Sequence, residues 1–588
     1  MRVVRNILAL LANQVGTWLI TLVLTIVLPR YLGVNHFGLY SFAIAFVGFF
    51  AIGMRLGTGT YLAWRIPREP ELAGRLAFNT LLLQIPLILA CSVAAILILP
   101  LIDPDPLAFQ VMLLVLIANG VSSFSSTFAA ALAGLQLMKA PAFIALFSSA
   151  VGMTLIVIGT HKPFHIPLTG IAAITILSEV ITFVALGAYT LRKLHPRFEV
   201  DATLWRSILL GGLPFFAWTV VLLFYWQIDI TMIKVMVPND GNAVVGWYAA
   251  ASRLTNIPLF LPMIVIAALL PALSAERNAD SAKFREMVSR SLRLATLVAL
   301  PAGAAVMVLS YQLTELLHYP PGFEPVTRLL QILALNVPLV AIDMILGTAL
   351  IAAARQRAWT VVGVIAGVFN PLVNLWAIPY TQARFGNAAT GAAVVTVATE
   401  LIMFGGALYL RPKGVFTRWD VWYIGRCLLA TAVMVPVVYL FSQGAKVGLF
   451  PSVIYGAITY LTMAYTLKLI RDDEILSVLS IVTSRMGVSL PFKGQTGTFA
   501  RIPVVGADPS ESLENPLQAA DEWASPARLT IPLGDAPLLS SASWVQIIYA
   551  DDDLDDLSFD ETIPMRIAPG AVDEGAVPTP PLHSSGVR

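Results

Sequence analysis

Seven ionisable residues stand inside or at the edge of long apolar runs of this sequence: Arg55, Glu179, Asp229, Lys234, Arg253, Asp343 and Glu400. A charge at the centre of a bilayer costs about 2.5–3.5 kcal/mol on insertion scales, so each needs a chemical reason to be there. Arginine offers a planar, permanently charged fork that grips phosphate or pyrophosphate through paired hydrogen bonds. Arg55 follows Gly53 and precedes Gly57 and Gly59, a stretch where backbones can bend or approach closely. Each arginine has two readings, contact with an anion in a central cleft or a structural ion pair. For Arg253 the pairing candidate is Asp229: at 1.5 Å per residue they lie about 18 Å and about 12 Å below adjoining helix ends. Lys234, near a helix end, either lines the cleft or snorkels to the surface.

Desolvation disfavours a bare carboxylate, which then takes a proton or a bound cation. Glu179, Glu400, Asp229 and Asp343 are therefore the candidates for coupling to H+ or Na+. The other reading for Glu179 and Glu400 is a hydrogen bond that pins each half of the molecule. Asn13, Thr17, Thr21 and Thr25 recur every four residues and share one helix face, with Gln14 beside them. Such a face suits either a hydrated cavity wall or helix–helix hydrogen bonding. The expected substrate contacts are thus Arg55, Arg253, Asn13, Gln14, Thr17 and Lys234. Pro214, Pro258, Pro262, Pro301, Pro338 and Pro371 interrupt apolar runs, as hinges or as static kinks. The sequence contains no phosphate-binding P-loop, so ATP hydrolysis is not expected, and its connections are too short to house an enzyme site; no cofactor is expected. Cys91 and Cys427, both in apolar runs, exclude a disulfide framework and argue against structural zinc.

The elements that must position these groups are membrane spans. Of 588 residues, 57% are hydrophobic and 12% charged, about half the charge of a soluble domain. The mean hydropathy is +0.78. Asn6 to Leu28 carries no charge and reaches roughly 35 Å as a helix, enough to cross a bilayer. It reads as a retained helix, since no small-residue cleavage site follows. Length and charge gaps predict an all-α polytopic membrane protein of about fourteen spans. They lie near 6–28, 38–63, 76–100, 107–134, 141–160, 168–190, 207–236, 244–272, 292–317, 327–353, 358–380, 386–410, 424–443 and 448–470. Bases gather in alternate connections, including Arg65, Arg68, Arg75, Arg192, Arg197, Arg277, Arg290, Arg355 and Arg411. The intervening connections hold few, such as Arg30, Lys162, Arg384 and Lys446. The positive-inside rule then puts both termini in the cytoplasm.

The sequence also repeats. Gly170-Ile-Ala-Ala-Ile-Thr-Ile-Leu-Ser-Glu179 matches Gly391-Ala-Ala-Val-Val-Thr-Val-Ala-Thr-Glu400 in character, and Phe37-Gly38-Leu39-Tyr40 is echoed by Val245-Gly246-Trp247-Tyr248. These pairs predict two pseudo-symmetric six-helix bundles, 1–200 and 201–415, about an axis along the membrane normal, with a cleft between them. Residues 416–490 add two helices and a short cytoplasmic segment. From Pro491 to Arg588 there are 15 acids and 5 bases, which leaves the preceding residues basic. Proline, glycine, serine and acid content predict a disordered cytoplasmic tail. Within it, Asp551-Asp552-Asp553-Leu554-Asp555-Asp556 is either a solvated linker or a docking segment for a protein partner. A metal-dependent sugar-nucleotide site there would lack a surrounding domain.

Pro29-Arg30-Tyr31-Leu32-Gly33 followed by Phe37-Gly38-Leu39-Tyr40 resembles the first-loop signature of the bacterial polysaccharide-transporter family, the lipid-linked oligosaccharide flippases. Gln227-Ile228-Asp229-Ile230 and Gly246-Trp247-Tyr248 through Arg253-Leu254 are similar to its second half. The resemblance covers roughly 1–470 and excludes the acidic tail. It implies the multidrug/oligosaccharidyl-lipid/polysaccharide exporter fold, with two six-helix bundles around a V-shaped cavity lined by the first, second, seventh and eighth spans. It further implies a place in the bacterial inner membrane and movement of undecaprenyl-pyrophosphate-linked sugars to the outer leaflet, often with ion coupling. The cavity residues carried over are Arg55 and Arg253. Expected partners are membrane lipids, the lipid-linked saccharide and a cytoplasmic protein bound by the tail, with no nucleic acid. Alternatives are a peptidoglycan lipid-precursor flippase, a cation-coupled drug exporter with an acidic cavity, and a scaffold recruiting glycan-assembly enzymes. Short connections argue against a membrane glycosyltransferase or polymerase.

Overall fold

The computed structural model of the chain describes residues 2–194, 199–238, 240–276, 281–443 and 448–470. The expectations for 491–588, and for Arg197, Arg277 and Lys446, lie outside them. The described residues form helices and no strand. In chain order these are α1 (Arg2–Arg55), α2 (Thr58–Arg65), α3 (Ala73–Ile102), α4 (Pro106–Gly134), α5 (Lys139–Thr160), α6 (Leu168–Leu194), α7 (Ala202–Met236), α8 (Gly241–Asn256) and α9 (Phe260–Ala275). There follow α10 (Ala282–Val308), α11 (Ser310–Leu316), α12 (Pro325–Leu333), α13 (Asn336–Ala352), α14 (Gln356–Phe385), α15 (Ala388–Leu410), α16 (Arg418–Gln443) and α17 (Leu449–Thr466). Leucine, alanine, valine and isoleucine dominate, and polar caps start the helices where the chain meets water. Asp105, Asp201 and Asn387 each accept from the backbone N–H two residues on, and Ser281 from Phe284 N.

Among the described residues, eleven helices are long and apolar enough to cross a membrane, or twelve if the bent pair α8–α9 is one span. The first of these breaks at Gly33, whose φ of 68° and ψ of 173° end one helix and start another. Counting its two segments separately, and adding the eighteen-residue α17, gives fourteen. Several boundaries differ from the sequence reading, two of them most. Residues 29–37, expected as a loop, are helical on both sides of Gly33, with Pro29 inside the helix. The tenth helix starts at Ala282, ten residues before the expected 292, because Ser281 caps a polar, amphipathic extension that hydropathy alone passes over. Pro214, Pro301 and Pro371 sit within unbroken helices. The chain bends by 48° around Pro258.

Helices α1–α6 pack mainly on one another, as do α7–α15. The two groups meet chiefly through α1, α2 and α3 against α7 and α8. The pair α16–α17 attaches through α10 and α11. Alternation of the spans puts the basic connections on one face, called here the basic face.

On the opposite face, the second segment of α1 crosses α8 at two glycines. A Cβ on Gly38 would fall 1.7 Å from Asn242 O, and one on Gly246 would fall 2.4 Å from Val34 O. Gly38 and Gly246 are partners in the sequence repeat, and Val34 and Asn242 stand four residues before each. The crossing is therefore reciprocal, as a pseudo-two-fold axis requires. Tyr40 obeys the same relation: its hydroxyl lies 3.4 Å from Thr175, and that of Tyr248 lies 2.9 Å from the repeat partner Thr396. Further bonds close this face. Tyr319 donates to Thr25 O at 3.0 Å, Trp247 Nε1 to Gly322 O at 2.6 Å, and Arg30 Nε to Leu317 O.

The basic face is joined as well. Gly57, at φ 67°, would bring a Cβ to 2.2 Å from Gly212 O. Arg65 donates to Ser207 Oγ at 2.6 Å, and Arg75 pairs with Asp201 at 3.0 Å. Hydrogen bonds from Thr203, whose hydroxyl and N–H both donate to Asp201, hold that carboxyl below the usual carboxylate range.

Candidate functional site

Arg253 lies beneath the glycine crossing. It is half-buried, and its guanidinium carbon is 4.8 Å from the centre of the Phe37 ring. Phe37 belongs to α1 and Arg253 to α8, so the cation sits where the two helical groups meet. Its electrostatic neighbours are the hydroxyls of Tyr40 and Tyr319. Among the described residues no carboxylate lies within ion-pair distance of it. The pairing with Asp229 considered from sequence does not form. Asp229 instead accepts from Tyr248 at 2.7 Å, Thr396 at 3.0 Å and Asn374 Nδ2 at 2.7 Å.

That makes Asp229 the centre of an oxygen-rich cluster in the second group. Asn374 also donates to Asn370 Oδ1 at 2.9 Å, and Asp229, Asn370 and Asn374 are all buried. One turn away along the same two helices, α7 and α15, Tyr225 donates to Glu400 Oε1. Asp343, buried with Glu400, is close enough for each charge to be felt by the other. Glu400 Oε2 and Asp343 Oδ1 have no hydrogen-bond partner among the described residues. Three buried carboxylates thus gather between α7, α13, α14 and α15, and no described ion pair includes any of them. No group of three or more His, Cys, Asp or Glu suited to a metal occurs among the described residues. Asp229 accepts from two hydroxyls and one amide nitrogen, and a buried carboxylate without a described cationic partner is a group that takes a proton or a bound cation.

The remaining residues fall elsewhere. Arg55 ends the second segment of α1 near the basic face, where it bonds Ser122 Oγ at 3.3 Å. Glu179 interacts with the same Ser122 and with the Arg55 charge. Counted from the repeat partners Gly38 and Gly246, Arg55 and Arg253 differ in depth by about 15 Å at 1.5 Å per residue. One phosphate cannot bridge them. Asn13 is buried and Gln14 and Thr17 are half-buried. Thr17 donates to Asn13 O and Thr21 to Thr17 O, both at 2.9 Å, so those hydroxyls are satisfied within their own helix. Lys234 is buried in an ion pair with Asp103 at 2.6 Å and donates to Asn242 at 2.7 Å. It neither snorkels nor joins Arg253.

Comparison with known proteins bears on this arrangement. The family described as polysaccharide biosynthesis protein matches residues 3–275, and the MatE family matches 217–376. The two overlap and together span more than half of the chain. The lipid II flippase MurJ, in an inward closed conformation, superposes with a TM-score of 0.63 at 14% identity, over 82% of this chain and 100% of that one. The chain has the fold of the multidrug/oligosaccharidyl-lipid/polysaccharide exporter superfamily. An inward-facing multidrug resistance MATE family transporter of that superfamily matches with a TM-score of 0.53 at 18% identity, over 71% of this chain and 95% of its own. A superfamily transporter from Pyrococcus furiosus gives 0.50 at 18%, over 72% and 96%. At these identities the likeness establishes the fold. No curated protein matches the sequence.

Within this fold, then, the sequence residues sort into three places. Arg253 stands between the groups, Arg55 and Glu179 stand together in the first, and Asp229, Asp343 and Glu400 stand together in the second. Sequence reading missed Tyr225, Tyr248, Asn370, Asn374 and Thr396, which surround the carboxylates. Asn370 and Asn374 carried a legible signal, since two amides four residues apart share one face of an otherwise apolar helix. Asp103, the partner of Lys234, carried none, because it reads as an ordinary connection residue.

Proposed function

We propose that this multi-pass membrane transporter is a flippase for a lipid-linked oligosaccharide of the undecaprenyl-pyrophosphate type. It acts in the bacterial inner membrane, with both termini cytoplasmic, and serves cell-surface polysaccharide biosynthesis. Transport proceeds by alternating access, the helices α1–α6 and α7–α15 rocking as two lobes about the crossing of α1 and α8. The observation that carries this reading is Arg253: a half-buried cation without a described carboxylate partner, placed between the lobes. An anion entering that space gains the charge-assisted hydrogen bonds Arg253 lacks, and low dielectric strengthens them. A drug exporter of cationic solutes would instead need an acid there. The cluster around Asp229, with Glu400 and Asp343, supplies a cation site for H+ or Na+ coupling. The family description, polysaccharide biosynthesis, agrees with the saccharide part.

The test is flipping of a fluorescent undecaprenyl-pyrophosphate oligosaccharide in vesicles holding the purified protein. Arg253→Ala should lower the rate by at least about tenfold, the size of one lost charge-assisted contact. Arg253→Lys should keep part of it. Wild-type rates in Arg253→Ala would remove the phosphate clamp. The additional pair α16–α17 favours a second reading, a peptidoglycan lipid-precursor flippase. Offering both lipids to the same vesicles separates the two.

A further inference from the structure

A second basic site lies far from Arg253, at the basic face. The first turns of α10 and the connection from α15 to α16 enclose a recess of about 290 Å³, lined by Arg285, Arg290, Arg293, Thr417 and Trp419 among others. Its back wall is fixed by Asp420, which is buried and accepts four hydrogen bonds. These come from Ser289 Oγ at 2.5 Å, Arg293 Nε at 3.2 Å, Thr417 N at 2.7 Å and Thr417 Oγ1 at 2.9 Å. Gly414, at φ +81°, lets the connection pass directly over Arg285, since a Cβ there would fall 2.7 Å from Arg285 Cδ. Among the described residues the only acid lining the recess, Glu286, is paired with Arg290 at 2.8 Å. Both nearby acids are thus engaged. Arg285 has no carboxylate partner among the described residues, and Arg411, Lys413 and Arg418 flank the same connection. The net field in the recess is positive.

We propose that this recess binds the phosphate of an anionic phospholipid from the leaflet on the basic face, independently of the transported solute. A phosphate with a small headgroup matches its size and charge. The surroundings favour a lipid as the source over free phosphate. Trp419 and Trp422 are 74% and 67% exposed at the start of α16, the position of an interfacial aromatic belt. Beyond them Leu428 and Leu429 are exposed along α16, a surface for acyl chains. Basic pockets between helices on this side of a bilayer bind anionic headgroups by the same chemistry. The site also has a mechanical meaning. The α16–α17 pair reaches the rest of the molecule chiefly through α10, so a phosphate held between α10 and the start of α16 fastens that pair to the second lobe.

The full-length protein would be purified and titrated with dioleoylphosphatidylglycerol, dioleoylphosphatidylcholine and inorganic phosphate, with bound adducts counted by native mass spectrometry. Phosphatidylglycerol should bind in preference to phosphatidylcholine. Arg285→Gln should weaken it about fivefold, the worth of one basic residue beside an anionic headgroup. Arg285→Lys, which keeps the charge, should retain most of the binding and also shows that change at this position leaves the protein folded. Equal phosphatidylglycerol binding by wild type and Arg285→Gln would overturn the proposal. So would displacement of the lipid by equimolar inorganic phosphate, which would make the site one for a soluble anion.

Discussion

At the scale of single residues, buried charge is the currency of this molecule, and partner identity decides what each charge does. Lys234 and Asp103 are each 7% exposed and lie 2.6 Å apart, on α7 and at the end of α3. They join the two helical groups near the opposite face, so the pair braces that face. Removing one member of a buried pair costs about 3–5 kcal/mol, because the other charge is left without compensation, whereas replacing both can be nearly neutral. Asp103→Asn should therefore lower the thermal midpoint of the purified protein markedly, and adding Lys234→Met should recover most of the loss. If the double variant melts no higher than the single one, the pair is not the source of the effect. The charged positions themselves were legible in the sequence, since a charge in an apolar run cannot be missed. Their partners were not. Nothing in the sequence around Asp103 separates it from any connection residue, and only the fold brings it to Lys234.

At the scale of elements, close approach is set by glycine. Gly38 and Gly246 allow α1 and α8 to touch backbone to backbone, and in a membrane such small-residue crossings hold helices together through packing. A side chain at Gly38 would overlap Asn242 O, so Gly38→Val cannot form the crossing. The expected result is an opened opposite face. A cysteine placed at Tyr319, in a protein with Cys91 and Cys427 replaced by serine, should react with an impermeant maleimide much faster beside Gly38→Val than beside Gly38. Unchanged labelling would mean that the crossing does not seal this face. The elements were the most legible part of the sequence. The fourteen apolar runs all fall on helices, eleven or twelve of which, among the described residues, are long and apolar enough to cross a membrane, and the matched Gly38/Gly246 and Glu179/Glu400 motifs pointed to the repeat that the reciprocal contacts display. The start of α10 was lost because its first turns are amphipathic, and a hydropathy window sees only their charge. The 29–37 segment was read as a loop because Pro29 and Arg30 look like a terminus. The helix continues there because Gly33 alone takes the break.

At the scale of the whole molecule, the two lobes share a plan but not a chemistry. Thr21 stands as far before Gly38 as Asp229 stands before Gly246, so the first lobe has a hydroxyl where the second has a carboxylate. Glu179 and Glu400 are repeat partners, yet Glu179 faces the Arg55 charge while Glu400 faces Tyr225 and Asp343. On the proposed coupling, a cation drawn to uncompensated carboxylates would go to the second lobe, where no described ion pair includes Asp229, Asp343 or Glu400. From there one short path leads to the proposed anion contact: Tyr248 donates to Asp229, and five residues further along the same helix stands Arg253. Binding at Asp229 competes for the Tyr248 hydroxyl and so biases the setting of α8, the element that both sites share. In vesicles, an imposed Na+ or H+ gradient should accelerate wild-type flipping. Asp229→Asn should remove that acceleration while leaving gradient-independent flipping, because Arg253 is untouched. Tyr248→Phe should weaken the response without abolishing cation binding, and Glu179→Gln should preserve it. Full gradient dependence in Asp229→Asn would place the coupling elsewhere, and equal loss in Asp229→Asn and Glu179→Gln would mean that both lobes, and not the second alone, carry the driving cation.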